Sequence, residues 1–370
     1  MKYCVLFPQA KNVHLIKDVG MIAYKLHKLY SCESYVACYN NDKYDYIDGH
    51  LKGLKLDFID KKRNNDIIDG SIYLKKNAKS IDVLQLFHVT IRSVIYAIMY
   101  KHYNKKGKIF LKLDCTEELL NKIKNLNFAG KLLFDYFFKK VDLIGVEQKR
   151  LFNEIRSLLP RFENKFIYIP NGIDYDLIHL DDLTYESKEN YILHVGRLGA
   201  EEKNSEMIVD AFIKLYKEDN SIPWTLVLAG DSTPEFNGFI KNYTDQYPGL
   251  DEKIMLLGQL SDREELFKMY SKSKIFCLTS HFESFGIVLI EAAAAGNIIV
   301  STDVGIAKEL TEQGGSIVSD SDVDDLASKL LSFINDNNSK NLCKHNIDFV
   351  KENYDWDKIV MRLYKEITSY

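Results

Sequence analysis

Short runs of apolar residues, separated by segments with the helical repeat of hydrophobicity, recur along the whole chain. Continuous apolar strands that alternate with helices are typical of parallel sheets covered on both faces. The pattern therefore predicts an α/β protein built from doubly wound sheets. The runs predicted as strands are residues 3–7, 35–39, 83–87, 109–113, 143–146, 166–169, 191–195, 225–229, 254–257, 275–278, 298–301 and 316–318.

The series of strands is interrupted near its middle, which predicts two domains. IPNGID supplies turn residues there, and a polar stretch follows, so that the break falls within residues 173–189. A chain of 370 residues has enough material for two cores of ordinary size. We therefore predict one domain over residues 1–172 and a second over residues 173–352.

Composition and charge exclude several classes of protein. The apolar fraction of 46% is typical of a globular chain, and the net charge of −4 makes no case for nucleic-acid binding. The first apolar run is too short for a signal peptide, and no stretch of about 18 residues is free of charge, as a membrane-spanning helix requires. Six cysteines without a CxxC pair indicate buried thiols in a reducing, cytoplasmic setting.

Residues 280–296 read SHFESFGIVLIEAAAAG, a polar loop that leads into a run of good helix formers. Backbone N–H groups at a helix start, together with the helix dipole, favour a phosphate. We expect Glu283 in the loop and Glu291 about two turns into the helix, roughly 10 Å further along. The two acids would then suit the hydroxyls of a nucleotide sugar. The other interpretation is an ordinary helix with one capping and one solvated glutamate.

The apolar run 191–195 is followed by GRLGAEEKN, which places two cations at a strand end and a helix start. Gly196 permits a tight turn, and Arg197 and Lys203 can clamp a diphosphate. Two solvated surface cations are the alternative. Ligands of parallel sheets bind at the carboxyl ends of the strands, so these cations and the acids of segment 280–296 are expected to share one ligand.

Taken together, the motifs resemble the family 4 retaining glycosyltransferases of GT-B fold. The match covers essentially the whole C-terminal half, whereas the N-terminal half resembles the family only in its alternation of strands and helices. The matching segments are IPNGID (169–174), HVGRL with KN (194–198 and 203–204), LLGQLS (256–261), SHFESFGIVLIEAAAAG (280–296), STDVGIAKEL (301–310) and YDWDKIVMRLY (354–364).

The resemblance implies two Rossmann-like domains that face each other across a cleft, with a final helix in residues 353–370 that crosses back to the first domain. Arg197 and Lys203 match the pair that neutralises the departing diphosphate. Glu283 matches the acid near the donor sugar, and Glu291 the acid that holds the ribose hydroxyls. Further donor contacts are implied for Gly196, for the backbone of Ser284, Phe285 and Gly286, and for the nucleobase-reading backbone near Leu260.

The N-terminal half departs from the family pattern at two places. Many relatives carry a glycine pair after the first strand, but this chain has only Gly20, which is expected to bring the backbone close to the phosphates. In place of the usual strand-end histidine, Asp114 is the first candidate and His88 the second for orienting the sugar or the acceptor. Both residues are equally open to a purely structural role.

The function implied by the resemblance is transfer with retention from a nucleotide-diphosphate sugar, with a UDP-sugar favoured, and without a metal or another cofactor. The acceptor would be a glycan, a lipid-linked molecule or a protein in polysaccharide or glycoconjugate biosynthesis. A phosphorylase or a sugar-nucleotide epimerase is an alternative within the enzyme class. A non-catalytic partner that binds a glycosylated target is an alternative outside it. The oligomeric state stays open.

Residues 100–108 and 132–140 mix basic and aromatic side chains. One interpretation is peripheral docking on the inner face of an anionic membrane. The favoured interpretation is a pair of core-facing helices that end in lysines, which suit the negative end of the helix dipole.

Overall fold

The computed structural model describes residues 1–114, 116–176, 178, 184–260, 262–336 and 339–369. The chain divides into two compact units, which we call unit 1 (Met1–Asn171 with Trp356–Tyr370) and unit 2 (Gly172–Asp355). The sequence placed these boundaries after residues 172 and 352. Cys115, Ser261 and part of the polar stretch in which the break was expected lie outside the described residues.

Unit 1 contains a seven-stranded parallel sheet in the order β3-β2-β1-β4-β5-β6-β7. Its strands are β1 (Lys2–Leu6), β2 (Glu33–Cys38), β3 (Lys55–Phe58), β4 (Val83–Phe87), β5 (Lys108–Leu113), β6 (Leu143–Val146) and β7 (Phe166–Tyr168). Its helices are α1 (Asn12–Leu15), α2 (Asp18–Tyr30), α3 (Asp45–Asp48), α4 (Asp66–Asn77), α5 (Ile91–Tyr103), α6 (Glu117–Lys124), α7 (Phe128–Lys140), α8 (Lys149–Leu158) and, from the end of the chain, α16 (Trp356–Thr368).

Unit 2 contains a six-stranded parallel sheet in the order β10-β9-β8-β11-β12-β13. Its strands are β8 (Glu189–Val195), β9 (Thr225–Ala229), β10 (Ile254–Gly258), β11 (Ser273–Leu278), β12 (Ile298–Thr302) and β13 (Gly315–Val318). Its helices are α9 (Ser205–Glu218), α10 (Pro234–Gln246), α11 (Arg263–Lys272), α12 (Ile287–Ala294), α13 (Ala307–Gly314), α14 (Val323–Ile334) and α15 (Ser339–Asn353).

The predicted doubly wound α/β architecture is confirmed in each unit. Every apolar run predicted as a strand forms one, with ends that differ by no more than about two residues, the usual uncertainty of such boundaries. The strand β3 was missed because KLDF lies at the sheet edge with mostly exposed side chains, and therefore lacks a continuous apolar run. In both sheets the strand order reverses next to the first strand, between β1 and β4 and between β8 and β11.

The last helix, α16, packs against α2 and completes the core of unit 1. Its apolar face, which includes Trp356 and Leu363, is buried. The rings of Tyr30 and Tyr364 stack with their centroids 3.7 Å apart. An ion pair of 2.6 Å between Lys25 Nζ and Asp357 Oδ1 adds a polar contact beside this apolar interface.

Five of the six cysteines lie among the described residues and are buried free thiols, as predicted: Cys4, Cys32, Cys38, Cys277 and Cys343. Burial raises the pKa of the Cys277 thiol, which keeps it protonated and unreactive. Within the described residues, every helix is too short or too polar to cross a bilayer.

Candidate functional site

The centre of the unit 2 sheet brings together two loops that are far apart in the sequence. The strands β8 and β11 lie side by side at the point where the strand order reverses. The loop 196–204 follows β8, and the loop 279–286 follows β11. In open α/β sheets a ligand binds in the crevice at this switch point. The cations and the first acid predicted from the sequence therefore lie where such a sheet binds ligands.

Hydrogen bonds and an ion pair join the two loops. Lys203 Nζ lies 2.5 Å from Glu283 Oε1, and Ser280 Oγ donates to the same oxygen at 3.0 Å. Thr279 Oγ1 donates to the carbonyl oxygens of Lys203 and Asn204 at 3.2 and 2.8 Å. Because the partners come from both loops, the positions of Lys203 and Glu283 depend on each other.

Arg197 lies in the same loop as Lys203 but is far more exposed. Its side chain is 72% exposed, and its guanidinium pairs with the carboxylate of Glu202. The backbone N–H of His281 donates to the carbonyl oxygen of Glu202 at 3.0 Å, which ties the last part of this loop to the loop after β11. Both predicted phosphate-binding cations are thus paired with carboxylates.

The turn that carries Arg197 requires glycine at a neighbouring strand end. Gly230, which follows β9, has φ of +148°, and a Cβ atom there would lie 1.7 Å from the carbonyl oxygen of Gly196. The backbones of Gly196 and Gly230 therefore pack directly against each other. Asn204, with φ of +46° in the left-handed region, then directs the chain into α9.

The phosphate-facing segment predicted at Ser284–Gly286 leads directly into α12. Gly286, with φ of +82°, immediately precedes the first helical residue, Ile287. Phe285 is buried, and its carbonyl oxygen accepts a hydrogen bond of 3.1 Å from the N–H of Ile306. A helix start of this kind directs backbone N–H groups and the positive end of the helix dipole away from the helix, toward the end of β11.

The position of Glu291 differs from the sequence prediction. It is the fifth residue of α12, just over one turn from the start rather than about two, because the helix begins only at Ile287. The side chain is 2% exposed, so the solvated alternative is wrong for this residue. Arg263 Nη2 lies 2.7 Å from one carboxylate oxygen, and the Tyr270 hydroxyl donates to the other at 3.1 Å.

Neither Arg263 nor Tyr270 was among the site residues predicted from the sequence. The position of Arg263 could have indicated a role in the site, because it is the first residue of α11 and so follows a strand end of the same sheet. Leu260, the predicted nucleobase position, lies just before this helix and is partly buried against the apolar core of unit 2.

His194, quoted within the HVGRL motif without a role, is fully buried near the end of β8. Its Nδ1 lies 3.0 Å from the carbonyl oxygen of Cys277, and its Nε2 lies 3.3 Å from Ser205 Oγ. Burial lowers the pKa of His194 to about 4, so the ring is neutral at physiological pH. The ring connects β8 to β11 and to the start of α9, directly behind the two loops.

Unit 1 carries a second group of polar residues at strand ends, centred on the buried Lys112. Lys112 Nζ lies 3.1 Å from Glu147 Oε2 and 3.5 Å from Asp18 Oδ2. The predicted Asp114 belongs to the same group, because its carboxylate lies within 4.8 Å of those of Asp18 and Glu147. The second candidate, His88, has its Nε2 3.7 Å from Asp114 Oδ2.

The charges of this group follow from its burial. Burial opposes the charged form of Lys112, but the carboxylates of Glu147, Asp18 and Asp114 outweigh this effect and raise the pKa of Lys112. Burial raises the pKa of Glu147, and the ammonium group of Lys112 opposes this rise. Three carboxylates this close together form a donor set that could hold a cation. In the structure Lys112 supplies the positive charge beside two of them.

Asp18 and Glu147 were not predicted from the sequence, although each follows a strand of the unit 1 sheet. Asp18 opens α2 after β1, and Glu147 comes directly after β6. His88 was predicted from the sequence. In the structure its φ is +58°, a left-handed conformation that is uncommon for a residue other than glycine.

Gly20 has a packing reason for being glycine. It is the third residue of α2 and is buried, and a Cβ atom there would lie 2.1 Å from the carbonyl oxygen of Leu15. The close approach of α1 to the start of α2 therefore requires glycine. Its predicted proximity to phosphates stays a prediction.

Comparison with known proteins agrees with this architecture. This chain superposes on the solved structure of a glycosyltransferase from Rickettsia africae with a TM-score of 0.76 and 18% identity, covering 100% of this chain and 98% of that one. It superposes on Anabaena Alr3699/HepE in complex with UDP and glucose with a TM-score of 0.72 and 17% identity, covering 100% of both chains. At these identities the likeness shows the fold alone, which is the two-domain GT-B arrangement of Rossmann-like sheets.

Residues 179–349 match the model of the family described as glycosyl transferases group 1. The chain is 27% identical over 220 residues to a probable sucrose-phosphate synthase of Thermosipho melanesiensis, covering 57% of this chain and 49% of the relative. It is 26% identical over 295 residues to N-acetyl-α-D-glucosaminyl L-malate synthase of Bacillus anthracis, covering 76% and 73%. It therefore spans about half the length of the first relative. These matches make the chain similar to the group 1 glycosyltransferases, and the relatives' names are consistent with family 4.

Proposed function

We propose that this chain transfers a sugar from a nucleotide-diphosphate sugar, preferably a UDP-sugar, to a glycan, lipid-linked or protein acceptor in glycoconjugate biosynthesis. The observation that carries the proposal is the convergence of Arg197, Lys203, Glu283 and the start of α12 at the switch point of the unit 2 sheet. The UDP bound by the structurally similar HepE protein supports UDP as the nucleotide.

The diphosphate is proposed to bind Arg197 and Lys203. Each cation is now paired with a single carboxylate, and a diphosphate carries more negative charge than the carboxylate it would displace. Negative charge grows on the diphosphate as the glycosidic bond breaks. The two cations therefore stabilise the transition state more than the bound donor.

Two acids are proposed to hold the sugar hydroxyls of the donor. Movement of Lys203 toward the diphosphate frees Glu283 Oε1 for a hydroxyl of the transferred sugar. Glu291 is proposed to accept from the ribose hydroxyls, and this contact would replace or share its bond with Arg263. The backbone at Ser284–Gly286 would face the phosphates, and the backbone near Leu260 the nucleobase.

The reaction is proposed to retain the anomeric configuration and to need no metal. The acceptor would attack an oxocarbenium-like sugar from the face that the diphosphate leaves. Fixed protein cations would supply the charge that a metal supplies in other enzymes, and orientation of the acceptor would supply much of the rest. Asp114, or in second place His88, is proposed to orient the sugar or the acceptor.

A panel of nucleotide sugars tests the proposal. Purified protein should release the nucleoside diphosphate slowly from one donor, and faster once the matching acceptor is added. NMR of the product should show the anomeric configuration of the donor, and EDTA should leave the rate unchanged. Tight glycan binding without turnover of any donor would favour the non-catalytic partner. A rate that EDTA abolishes and a divalent ion restores would contradict metal independence.

Alanine variants of the two cations test their role in the chemical step. We expect Arg197→Ala and Lys203→Ala to lower kcat on the order of 10²-fold, while the Kd for UDP changes by less than about tenfold, because the charge they stabilise develops in the transition state. The control is Lys214→Ala, which removes a partly exposed lysine that pairs with Asp324 away from the two loops. Full activity of both test variants would refute the assignment.

A further inference from the structure

The helix α7 is apolar on two faces, and only one of them packs inside unit 1. The inner face buries Phe134, Phe137 and Phe138 in the core. The opposite face, which we call the outer face of α7, consists of four apolar side chains that are 42–79% exposed: Phe128, Leu132, Leu133 and Tyr136. A helix that is apolar all round is normally buried, so an exposed apolar face of this kind indicates a binding surface.

The outer face forms a continuous surface. Phe128, Leu132 and Tyr136 are spaced by four residues and so form one stripe along the helix. A groove of about 470 Å³ continues this stripe toward α6 and the end of α8. Its apolar lining includes Leu126, Phe128, Leu132 and Leu159, and Lys124 and Lys131 lie at the same groove.

The charge around the outer face is positive and largely unpaired. Each nearby acid already has a basic partner, since Glu117 pairs with Arg150, Glu118 with Lys122, and Asp135 with Arg161. By contrast, Lys124, Lys131 and Lys139 form no ion pair within the described part of the chain. Lys140 Nζ lies 4.5 Å from the centre of the Tyr136 ring.

We propose that the outer face of α7 binds the surface of an anionic lipid bilayer. The helix would lie in the plane of the interface, with the apolar stripe at the boundary between headgroups and acyl chains and the lysines on lipid phosphates. Lysine stems can cover apolar surface while their ammonium groups stay in water, which suits this position. Unpaired lysines beside an exposed apolar stripe are complementary to anionic lipid rather than to a neutral surface. The proposal does not depend on the proposed function.

Vesicle co-sedimentation tests the proposal. The full chain should bind vesicles that contain phosphatidylglycerol, should bind phosphatidylcholine vesicles at least about tenfold more weakly, and should dissociate as salt is raised. We expect a Lys131→Gln/Lys139→Gln variant, and separately a Phe128→Gln/Leu132→Gln variant, each to weaken binding by about tenfold or more.

Matched controls separate this surface from general properties of the chain. Lys344→Gln/Lys351→Gln removes two exposed lysines of α15, and Met361→Gln removes an exposed apolar side chain of α16. Both control variants should bind vesicles as the wild type does, and circular dichroism should show that all variants are folded.

Three results would overturn the proposal. These are an absence of vesicle binding, equal binding to both lipids, and equal losses in the test and control variants. Analytical ultracentrifugation tests whether a second copy of the chain, rather than a lipid surface, covers the same face. A wild-type dimer that becomes a monomer in Phe128→Gln/Leu132→Gln, without vesicle binding, would show that a second copy covers the face.

Discussion

The sequence identifies candidate site residues by their chemical type, but it does not show which residues they contact. Lys203 and Glu283 are 80 positions apart, yet they form an ion pair of 2.5 Å, because β8 and β11 are neighbours in the sheet. The proposed roles of these residues require that this pair can exchange for a diphosphate and a sugar hydroxyl. Residue type could be predicted, but the partner depends on strand order.

The partners of the buried Lys112 were even less predictable from the sequence. A fully buried lysine is costly unless carboxylates compensate its charge, and Glu147 and Asp18 do so. In the sequence Lys112 lies within an apolar run and its partners lie far away, so nothing local predicts the group. Asp114, which was predicted, is the member most open to solvent, with a side chain 40% exposed.

We expect the stability of unit 2 to fall as the pH decreases from about 6.5 toward 4 because of His194. Burial lowers the pKa of His194 to about 4, whereas an exposed histidine in the unfolded chain titrates near 6.5. Within this window the unfolded chain gains a proton that the folded unit does not, so folding loses on the order of 3 kcal/mol.

Urea unfolding at a series of pH values measures this loss. His194→Gln should flatten the pH dependence in this window, because glutamine does not titrate. His345→Gln, at an exposed position of α15, should keep it. If His194→Gln and the wild type lost stability equally over the window, the assignment of the effect to His194 would be wrong.

At the scale of elements, buried strands were predictable and exposed ones were not. The continuous apolar runs of the inner strands arise because both sheet faces are covered, and this makes them visible in the sequence. The edge strand β3 lacks this signal. In the helix α7, by contrast, the apolar residues predict burial all round. Only the tertiary structure shows that one face is packed and that the outer face is exposed.

The turns after the unit 2 strands are predicted to depend on glycine at Gly230. In Gly230→Ala, the added Cβ would lie 1.7 Å from the Gly196 carbonyl oxygen, at a φ of +148°. We expect this variant to lower the free energy of unfolding by about 2 kcal/mol or more and to displace the turn that carries Arg197.

The matched control is Gly238→Ala in α10, where a Cβ atom would meet no other atom within 4 Å. It should stabilise the protein by up to about 1 kcal/mol, because alanine favours the helix. Chemical unfolding of both variants gives the comparison. Similar effects of the two substitutions would show that the contact at Gly230 does not matter.

At the scale of the whole molecule, the chain does not divide into units at a single point. Unit 1 is formed from residues distant in sequence, because α16 returns to pack on α2 after unit 2 is complete. The stability of unit 1 therefore depends on the last residues of the chain.

We expect Leu363→Ala to destabilise unit 1 by about 2–5 kcal/mol, because it leaves a cavity in the buried face of α16. Met361→Ala, on the same helix but 56% exposed, should change stability by less than about 0.5 kcal/mol. The two tryptophans allow each unit to be followed separately, since Trp356 lies in unit 1 and Trp224 in unit 2.

Fluorescence-detected unfolding in a Trp224→Phe background reports on unit 1, and in a Trp356→Phe background on unit 2. The Leu363→Ala substitution should shift the first transition much more than the second. Equal shifts would mean that the units unfold as one, against the assignment of α16 to unit 1 alone.

The sequence by itself determined the α/β class, the buried strands, the division into two units and the chemical character of the loop residues. These are local properties, since periodicity, turn residues and motif spacing are set by neighbours in the chain. Only the tertiary structure decided that Lys203 pairs with Glu283, that Glu291 is held by Arg263 and Tyr270, that Lys112 is buried among carboxylates, and that one face of α7 is exposed. Each of these depends on strand order and on packing between elements far apart in sequence, which local patterns do not encode.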